Sequence, residues 1–328
     1  MAKVDIKRIL LIRTDRFGEF ILNTPLIRAI KEKFPSSYLG IMVNPMVKGI
    51  VKGSPYIDEI MIYDKKAMQG FFKSLKFVSE IRKKKFDLAV ILNPKKKFNI
   101  IAFLAGIPIR LGYNRKWGFL LTHKIKDRKF LGQKHEVEYN LDLVRRIGID
   151  TQDKSLFISV DKEDERFIDS LLKGLGIINT DLLIALHPWT SDPVKQWPVE
   201  NFLQLARRLS RELPCKVIII GGKDEISQSV KFCQEKPDII NLTGKLTLGQ
   251  SAALLKKCRL LISNDSGPVH LACAVGTQVI ALFRNDIPAK SARRWGPWGE
   301  GHIVIEKPNL SDIKVEEVLE KIRSKLKI

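Results

Sequence analysis

The alternation of short aliphatic runs with amphipathic helical patterns constrains this fold more than any other feature of the sequence. In the first half, apolar residues recur at helical spacing between runs that are rich in isoleucine, leucine and valine. Successive strands joined by helices pair in parallel, because a parallel pair needs a long crossover connection. The predicted strands are Arg8–Ile12, Tyr38–Val43, Asp58–Tyr63 and Asp87–Leu92, and the predicted helices are Pro25–Phe34 and Gln69–Lys85.

The second half repeats the same rhythm after a polar, charge-dense segment, Asp150–Glu165. We therefore predict an α/β protein with two doubly wound Rossmann-like domains facing a cleft, comprising residues 1–160 and 161–328. The pattern leaves open that the last helix packs back on the first domain. The predicted strands are Leu182–Leu186, Lys216–Ile220, Arg259–Ser263 and Gln278–Phe283, and the predicted helices are Val199–Leu213, Leu248–Cys258 and Pro268–Val275, followed by a final helix capped by Ser311.

Composition excludes several classes of protein. Of 328 residues, 45% are hydrophobic and 28% charged, as in a folded globular chain. The sequence has no apolar run of bilayer length and no apolar segment typical of a secretion signal. Its four cysteines lack CxxC spacing. We expect a cytoplasmic protein with reduced thiols.

Charge divides the chain into two unequal halves. Residues 1–150 hold 31 basic and 14 acidic side chains, a balance of +17, whereas residues 151–328 hold 26 and 22, a balance of +4. A basic half attracts nucleic acid, an anionic membrane surface or a phosphorylated substrate through the same long-range field. The two halves are therefore expected to meet different partners.

The run Asn264-Asp265-Ser266-Gly267-Pro268-Val269-His270 joins a predicted buried strand to a helix. Free backbone N–H groups at that helix start make an anion site, which Gly267 leaves accessible and His270 can face. The alternative is an ordinary capped helix with a core histidine. Four polar or small residues in so short a stretch favour the anion site.

Two further segments follow predicted strands. In His187-Pro188-Trp189-Thr190 and the following Lys195, a hydroxyl and a compact cation could contact a diphosphate. In Gly221-Gly222-Lys223-Asp224-Glu225, a carboxylate could accept the hydroxyls of a ribose. The alternatives are a turn packed on tryptophan with a solvated lysine, and a flexible solvated turn.

The first half offers the loop Thr14-Asp15-Arg16-Phe17-Gly18-Glu19 after its first strand. It carries neither a GxGxxG fingerprint nor a P-loop. Glu19, on a glycine hinge, could remove a proton from an attacking hydroxyl. The alternative is an acidic residue favoured by a helix dipole.

Taken together, these segments resemble the ADP-heptose:lipopolysaccharide heptosyltransferases, family nine of the glycosyltransferases, which have the GT-B fold. The resemblance begins in Ile9–Pro35 and spans nearly the whole chain in the right order. It continues through Lys85-Phe86-Asp87-Leu88, Arg110-Leu111-Gly112-Tyr113, His187-Pro188, Lys195-Gln196-Trp197-Pro198, Gly221–Glu225 and Asn264–His270.

The resemblance implies roles for particular residues. Glu19 stands where the family usually has a catalytic aspartate, the general base, with Arg16 and Gly18 in the same acceptor-side loop. Glu225 matches a ribose contact and Leu246 lies near the position that flanks the adenine. The donor diphosphate contacts are matched by Thr190, Lys195, Ser266, Gly267 and His270, with Asp265 beside them.

The implied reaction is inverting transfer of a heptose or related sugar from an ADP-sugar to an anionic glycolipid. No metal or other cofactor is expected, since lysine and the helix dipole stabilise the leaving diphosphate and the sequence has no DxD pair. The first domain would bind the acceptor, and Lys83–Lys85, Lys95–Lys97 and Lys124–Lys129 would meet the inner membrane surface peripherally.

Other functions stay open. The same fold serves transferases with another donor and acceptor, nucleotide-sugar epimerases, and relatives that only bind nucleotide. A basic nucleic-acid-binding protein is the non-enzymatic alternative, although no nucleic-acid-binding motif surrounds the basic clusters and we expect no nucleic-acid partner. The oligomeric state is not readable from the sequence.

Overall fold

A computed structural model describes residues 6–66, 69–233 and 239–327 of the chain. The chain divides into two compact units, one comprising Met1–Phe130 and Glu136–Ser159 and the other Leu131–His135 and Val160–Ile328. The sequence placed the division after residue 160 and did not foresee that 131–135 groups with the second unit. There His135 Nε2 lies 3.0 Å from the Gly296 carbonyl and its ring stacks on Trp298.

The first unit contains a parallel sheet whose described strands have the order β3-β2-β1-β4-β5-β6. The strands are β1 (Arg8–Arg13), β2 (Tyr38–Val43), β3 (Glu59–Ile62), β4 (Leu88–Ile91), β5 (Ile109–Tyr113) and β6 (His123–Ile125). Its helices are α1 (Phe17–Ile21), α2 (Thr24–Lys33), α3 (Lys48–Val51), α4 (Phe71–Lys83), α5 (Lys96–Leu104) and α6 (Glu136–Arg145).

The second unit repeats the arrangement, with the strand order β12-β11-β10-β7-β8-β9, also parallel. Its strands are β7 (Leu182–His187), β8 (Cys215–Ile219), β9 (Ile239–Asn241), β10 (Leu260–Asn264), β11 (Gln278–Arg284) and β12 (Ile303–Lys307). Its helices are α7 (Lys162–Gly174), α8 (Val199–Glu212), α9 (Ile226–Cys233), α10 (Leu248–Lys257), α11 (Gly267–Ala274), α12 (Ala292–Trp295) and α13 (Val315–Leu326).

These strand orders place the candidate site residues. In each unit the first strand, β1 or β7, lies beside the fourth, β4 or β10, and the chain leaves the two in opposite directions. Loops diverge at such a switch point, so that ligands of open parallel sheets bind there, outside the carboxyl ends of the strands. Arg13 ends β1 and His187 ends β7 at this edge.

The core confirms the predicted apolar pattern. In the first unit, Leu10, Ile12 and Ala89 of the sheet pack against α4 and α5. In the second, Ile184 and Ile262 pack against Leu205 and Leu209 of α8. Each strand of the central pairs is buried on both faces, which explains its continuous run of branched apolar residues.

The charge-dense run Asp150–Glu165 contains the boundary between the two units, which falls after Ser159. It also contains the start of α7 at Lys162, where the Asp161 side chain accepts a hydrogen bond from the Glu163 N–H at 3.0 Å. Acidic residues are favoured at a helix start, and α7 carries three of them in its first turn.

The last helix belongs to the second unit and packs on α8. Val318 and Ile322 lie in the core of the second unit, and Arg323 reaches Glu212 at 2.6 Å. α13 begins at Val315, whereas Ser311 lies in a preceding 3-10 turn and does not cap it.

Across the described ranges, we find no helix both long and apolar enough to cross a bilayer.

Candidate functional site

Arg13 occupies the switch point of the first unit. It is the last residue of β1, and its side chain is buried. Its guanidinium Nε lies 2.7 Å from Asp15 Oδ1, and Nη1 donates to the Leu92 carbonyl at 3.3 Å. Burial alone would lower the pKa of Arg13, but the carboxylates of Asp15, Glu136 and Glu19 outweigh it and raise that pKa. Arg13 is therefore the cation around which this edge is organised.

Glu19 lies close to this cation, in the first turn of α1. The prediction of a loop as far as Glu19 is wrong for its last three residues, because they form a helical turn, in which an acidic first-turn residue is favoured. Gly18 is buried in that turn, and Arg16 is the exposed N-cap residue.

The Glu19 carboxyl is partly withdrawn from solvent. Burial raises its pKa above the ordinary value, Arg13 opposes that rise, and Asp15 adds to it. A carboxylate with a raised pKa is a stronger base than a solvated one while it remains ionised at neutral pH. A raised pKa is what a residue that accepts a proton requires.

A buried ion pair supports the same edge of the first unit. Lys129 Nζ lies 2.5 Å from Glu136 Oε1 and 3.0 Å from Asn140 Oδ1, and both charged side chains are almost fully buried. The expectation that Lys129 meets an external surface is therefore wrong. Its ammonium also lies 4.5 Å from the ring centre of Tyr113, whose hydroxyl donates to the Tyr139 carbonyl.

In the second unit, Lys195 and Asp265 form a close ion pair. Lys195 ends a 3-10 turn after β7, Asp265 follows β10, and Nζ lies 2.5 Å from Oδ2. Asp265 is only 8% exposed, so the pair is largely shielded from water. The carboxylate fixes the lysine at the start of α11, where an anion would also meet free backbone N–H groups.

The Ser266 side chain contacts neighbouring residues of the second unit instead of capping α11. It is the N-cap residue of α11 but makes no side-chain cap. Its hydroxyl instead lies 3.0 Å from His187 Nδ1 and 3.0 Å from Ser263 Oγ. Burial lowers the pKa of His187 to about 3, so its imidazole is neutral. The Ser266 hydroxyl is engaged inside the unit, and its backbone N–H remains part of the helix start.

Gly267 and His270 follow within α11. Gly267 is its first residue, as predicted, and is partly exposed. His270 is one turn further along and only 4% exposed. This burial favours a core histidine over a histidine that faces an anion. A direct ring contact with a solvent-borne anion would require His270 to be uncovered.

Three residues predicted to bind the sugar donor lie at the carboxyl edge of the second sheet. They are progressively further from its switch point. Thr190 follows β7 and its hydroxyl accepts from the Asp192 N–H at 3.4 Å. Glu225 follows β8, where its carboxylate accepts from the Gly222 N–H at 2.5 Å. Leu246 follows β9 and is half-buried in front of α10. Their order along the edge suits an extended ligand.

The loop that carries Lys195 is fixed by buried hydrogen bonds. The Asn264 side chain accepts from the Trp197 N–H at 2.9 Å and donates to the Pro188 carbonyl at 2.7 Å. Trp197 Nε1 donates to the Ile313 carbonyl. At Gly221, a Cβ would lie 2.6 Å from the Trp189 ring, so a glycine is needed for this packing.

The sequence patterns assigned no role to Arg13, Asp15, Glu136, His187 or Asn264. Three of them carry a detectable signal, because Arg13, His187 and Asn264 are polar residues that end aliphatic strands. No local pattern marks Glu136, which meets Lys129 only through the fold.

Other features of the described residues lie elsewhere. A cavity of about 490 Å³ opens at the opposite edge of the second sheet, lined by Thr180, Lys256 and Gln278 among others, and by none of the predicted donor residues. Within the described ranges, no three His, Cys, Asp or Glu side chains are grouped so as to hold a metal ion.

The sequence is similar to those of lipopolysaccharide heptosyltransferases. The lipopolysaccharide heptosyltransferase 3 of Escherichia coli is 25% identical over 303 residues, covering 87% of this chain and 85% of that protein. The lipopolysaccharide heptosyltransferase 2 of Salmonella typhimurium is 24% identical over 300 residues, covering 86% and 84%.

Solved structures show the same fold. The glycosyl transferase family 9 protein of Veillonella parvula superposes with a TM-score of 0.88 at 25% identity, covering 99% of this chain and 98% of that one. The ADP-heptose lipopolysaccharide heptosyltransferase II of Escherichia coli superposes with a TM-score of 0.83 at 21% identity, covering 97% and 98%. The predicted α/β class with two doubly wound, Rossmann-like units of the GT-B type is confirmed.

The sequence model of glycosyltransferase family 9 (heptosyltransferase) matches residues 74–322, which is most of the chain. The match covers the positions of all predicted donor residues, whereas the first strand and Glu19 precede it. The chain therefore belongs to glycosyltransferase family 9, the heptosyltransferase family, and is a glycosyltransferase.

Proposed function

We propose that this enzyme transfers a heptose, or a related sugar, from an ADP-sugar to a hydroxyl of the lipopolysaccharide core or a similar anionic glycolipid. The second unit binds the nucleotide-sugar and the first unit binds the acceptor. The observation that carries the proposal is the shielded Lys195–Asp265 pair beside the start of α11. The names of the curated relatives supply the heptose and the lipopolysaccharide.

The donor site acts through positive charge. When the bond to the sugar breaks, charge develops on the leaving diphosphate, and Lys195 with the N–H groups of α11 stabilises it. Asp265 holds the lysine in place, so that little reorganisation accompanies the reaction. Thr190 contacts the diphosphate, the Glu225 carboxylate accepts hydrogen bonds from the ribose hydroxyls, and Leu246 packs near the base. His270 supports the helix start from within.

The acceptor side acts through Glu19. Its carboxylate takes the proton of the acceptor hydroxyl as that oxygen attacks the anomeric carbon, and the diphosphate leaves from the opposite face, so that the configuration inverts. Arg16 and Gly18 shape the surrounding turn. Arg13 balances the negative charge of Glu19 before the proton arrives. Because lysine and backbone N–H groups supply the positive charge, we propose that transfer needs no divalent cation, and that chelation leaves the rate unchanged.

The decisive experiment is calorimetric titration of the protein with ADP, UDP, GDP and ADP-heptose. We expect ADP and ADP-heptose to bind and Lys195→Ala and Asp265→Ala to weaken both by tenfold or more, because each removes one partner of a shielded charge pair. Lys256→Ala is the matched control, since its exposed pair with Glu165 lies at the opposite edge of the sheet.

Each alternative predicts a different result. Preferred binding of UDP or GDP would keep the transferase and discard the ADP-sugar. Release of free ADP without transfer to any glycolipid would contradict the acceptor class. Binding of none of the nucleotides would overturn the donor site. Membership of an enzyme family argues against the nucleic-acid-binding alternative.

A further inference from the structure

Asn264 connects the end of β10 to both ends of the segment that carries Lys195. It is the last residue of β10, and its side chain is completely buried. Its side-chain oxygen accepts a hydrogen bond from the Trp197 N–H, and its side-chain nitrogen donates one to the Pro188 carbonyl. We call residues 188–197 the lysine turn. A single amide group thus ties both ends of the lysine turn to one strand.

These two partners require an amide side chain at position 264. The Trp197 N–H can only donate a hydrogen bond, and the Pro188 carbonyl can only accept one. An aliphatic side chain would leave both groups unpaired in the interior, which is costly. A carboxylate would satisfy the N–H but would face the carbonyl oxygen with a second acceptor. The structure therefore uses both the donor and the acceptor of Asn264.

The ends of the lysine turn are buried, whereas its middle is open to solvent. Trp189 is 1% exposed near the first end, and Trp197 is 0% exposed at the second. The Trp197 indole N–H also donates to the Ile313 carbonyl at 2.9 Å. The exposed residues of the turn include Ser191, Pro193 and Val194. Such an open segment keeps one conformation only as far as its ends are held.

The middle of the lysine turn has further contacts, but water reaches them. Lys290 Nζ lies 2.7 Å from Asp192 Oδ2, and each side chain is about one-third exposed. Arg284 Nη1 donates to the Val194 carbonyl at 3.1 Å. Exposed ion pairs contribute little to stability. The buried hydrogen bonds of Asn264 therefore restrain the turn more strongly than these contacts do.

Both parts of Lys195 are held from the same point of the chain. Its ammonium lies 2.5 Å from the carboxylate of Asp265, the residue that follows Asn264. An ion pair fixes only the charged end of a lysine, because four flexible carbons separate that end from the backbone. The backbone of Lys195 belongs to the turn that Asn264 holds. Two consecutive residues thus restrain both its backbone and its charge.

We propose that Asn264 is a positioning residue of the donor site, which holds the lysine turn so that the Lys195 ammonium stays beside the start of α11. A preorganised cation stabilises a leaving group without rearrangement during the reaction. Without Asn264, the turn would move relative to β10, and Lys195 would spend part of its time away from the backbone N–H groups of α11.

This inference rests on the proposed function, in which Lys195 stabilises the diphosphate of the donor. The two remain distinguishable, because the position of the lysine turn can be measured without any nucleotide. Failure of the parent protein to bind ADP would contradict the proposed donor site. A lysine turn that is insensitive to Asn264 would contradict the positioning role.

Hydrogen exchange of the full chain, read by mass spectrometry without nucleotide, tests the restraint directly. In Asn264→Ala, the Trp197 N–H loses its acceptor, so amides of residues 188–197 should exchange about tenfold faster or more. Amides within β7 should keep their protection, since its hydrogen bonds to β8 and β10 remain. Denaturant unfolding shows whether the variant is also destabilised globally.

Chemical labelling reports on the ammonium itself. Acetic anhydride acylates free lysine amines, and the Lys195 side chain is only 17% exposed and paired with Asp265. We expect Lys195 to be acylated faster in Asn264→Ala than in the parent. The Lys256 side chain, which is 56% exposed at the opposite edge of the sheet, should be acylated at an unchanged rate and serves as the internal reference.

A double-mutant cycle on ADP binding separates positioning from general support of the fold. Asn264→Ala should weaken ADP binding by about tenfold in the parent, but by about twofold or less when Lys195 is already alanine. Its effect disappears there because the cation that it positions is gone. A merely structural role would give the same loss in both backgrounds.

Thr277→Val is the matched control. Thr277 is 3% exposed, and its hydroxyl donates to the Leu255 carbonyl at 2.6 Å at the opposite edge of the same sheet. Its loss should destabilise the second unit without changing exchange in the lysine turn or the affinity for ADP. If Asn264→Ala does not fold, Asn264→Ser replaces it, since the shorter hydroxyl keeps some polarity but cannot reach both partners.

Three results would overturn the proposal. The first is unchanged exchange of residues 188–197 in a folded Asn264 variant. The second is unchanged acylation of Lys195 in that variant. The third is an equal loss of ADP affinity in the parent and in Lys195→Ala, which would make Asn264 a general support of the fold.

Discussion

The two units build the same sheet but place opposite chemistry at its switch point. The last residue of β1 is Arg13, a buried cation surrounded by the carboxylates of Asp15, Glu19 and Glu136. The last residue of β7 is His187, a buried neutral imidazole that contacts the hydroxyls of Ser263 and Ser266. Strand order therefore fixes where a site forms, whereas the residues that end the strands decide what it can bind.

The difference has a physical reason. A base that accepts a proton must be an anion, and a partly buried anion needs a nearby cation, which Arg13 supplies. A site for a diphosphate must not present buried negative charge without compensation, so its interior is neutral and Asp265 is paired with Lys195. In each unit, the buried charges are therefore balanced in the way that its proposed role requires.

Removing the carboxylate from the first switch point should have the largest effect. Glu19→Gln keeps the shape of the side chain but cannot take a proton, so we expect kcat to fall by about 10²–10⁴-fold, the usual contribution of a general base. ADP affinity, measured by calorimetry, should stay unchanged because Glu19 lies in the other unit.

Glu19→Asp serves as the conservative counterpart. It keeps a carboxylate on a side chain one methylene shorter and should retain far more activity than Glu19→Gln. Equal activity of the parent and Glu19→Gln would remove Glu19 from the mechanism.

The second largest effect should be a loss of stability when one of the buried charges of the first unit is removed. Lys129→Met leaves the Glu136 carboxylate buried without its close cation, and we expect the free energy of unfolding to fall by about 3–5 kcal/mol. Lys129→Met/Glu136→Leu should recover much of that loss, because it removes both charges. Denaturant unfolding measures both.

The control is Lys154→Met, which removes one partner of a half-buried pair with Glu138, far more open to solvent than the Lys129–Glu136 pair. It should cost less than about 1 kcal/mol. If Lys129→Met were as mild as this control, the buried pair would not be a structural support of the site.

A smaller effect should appear in the pH dependence. Glu19 acts as a base only when ionised, so kcat/KM should fall as the pH drops through its pKa, which burial raises. The Asp15 carboxylate raises that pKa further, so Asp15→Asn should lower it and move the acid limb to lower pH.

The exposed Glu32→Gln substitution removes a like charge elsewhere in the unit and should leave the acid limb in place. A limb that shifts to higher pH in Asp15→Asn would contradict the proposed electrostatic arrangement.

Sequence periodicity was sufficient for the long, buried elements. β2 was predicted with its observed bounds, and the helix predicted over Val199–Leu213 lies within one residue of α8. These elements carry continuous apolar runs or a strongly one-sided helical face, so local pattern and burial agree. The outer strands β6 and β9 have three residues each, too few for a period to emerge.

The sequence by itself determined the α/β class, the repeated sheet and the positions of Glu19, Lys195 and Asp265 in polar segments after strands. All of these depend on patterns within a few residues. Tertiary structure decided that Lys129 is buried against Glu136, that the Ser266 hydroxyl turns to His187, that His270 lies in the interior, and that α13 packs on α8. Those outcomes depend on groups distant along the chain, whose approach sets burial and pairing and hence whether a polar side chain faces a ligand or the core.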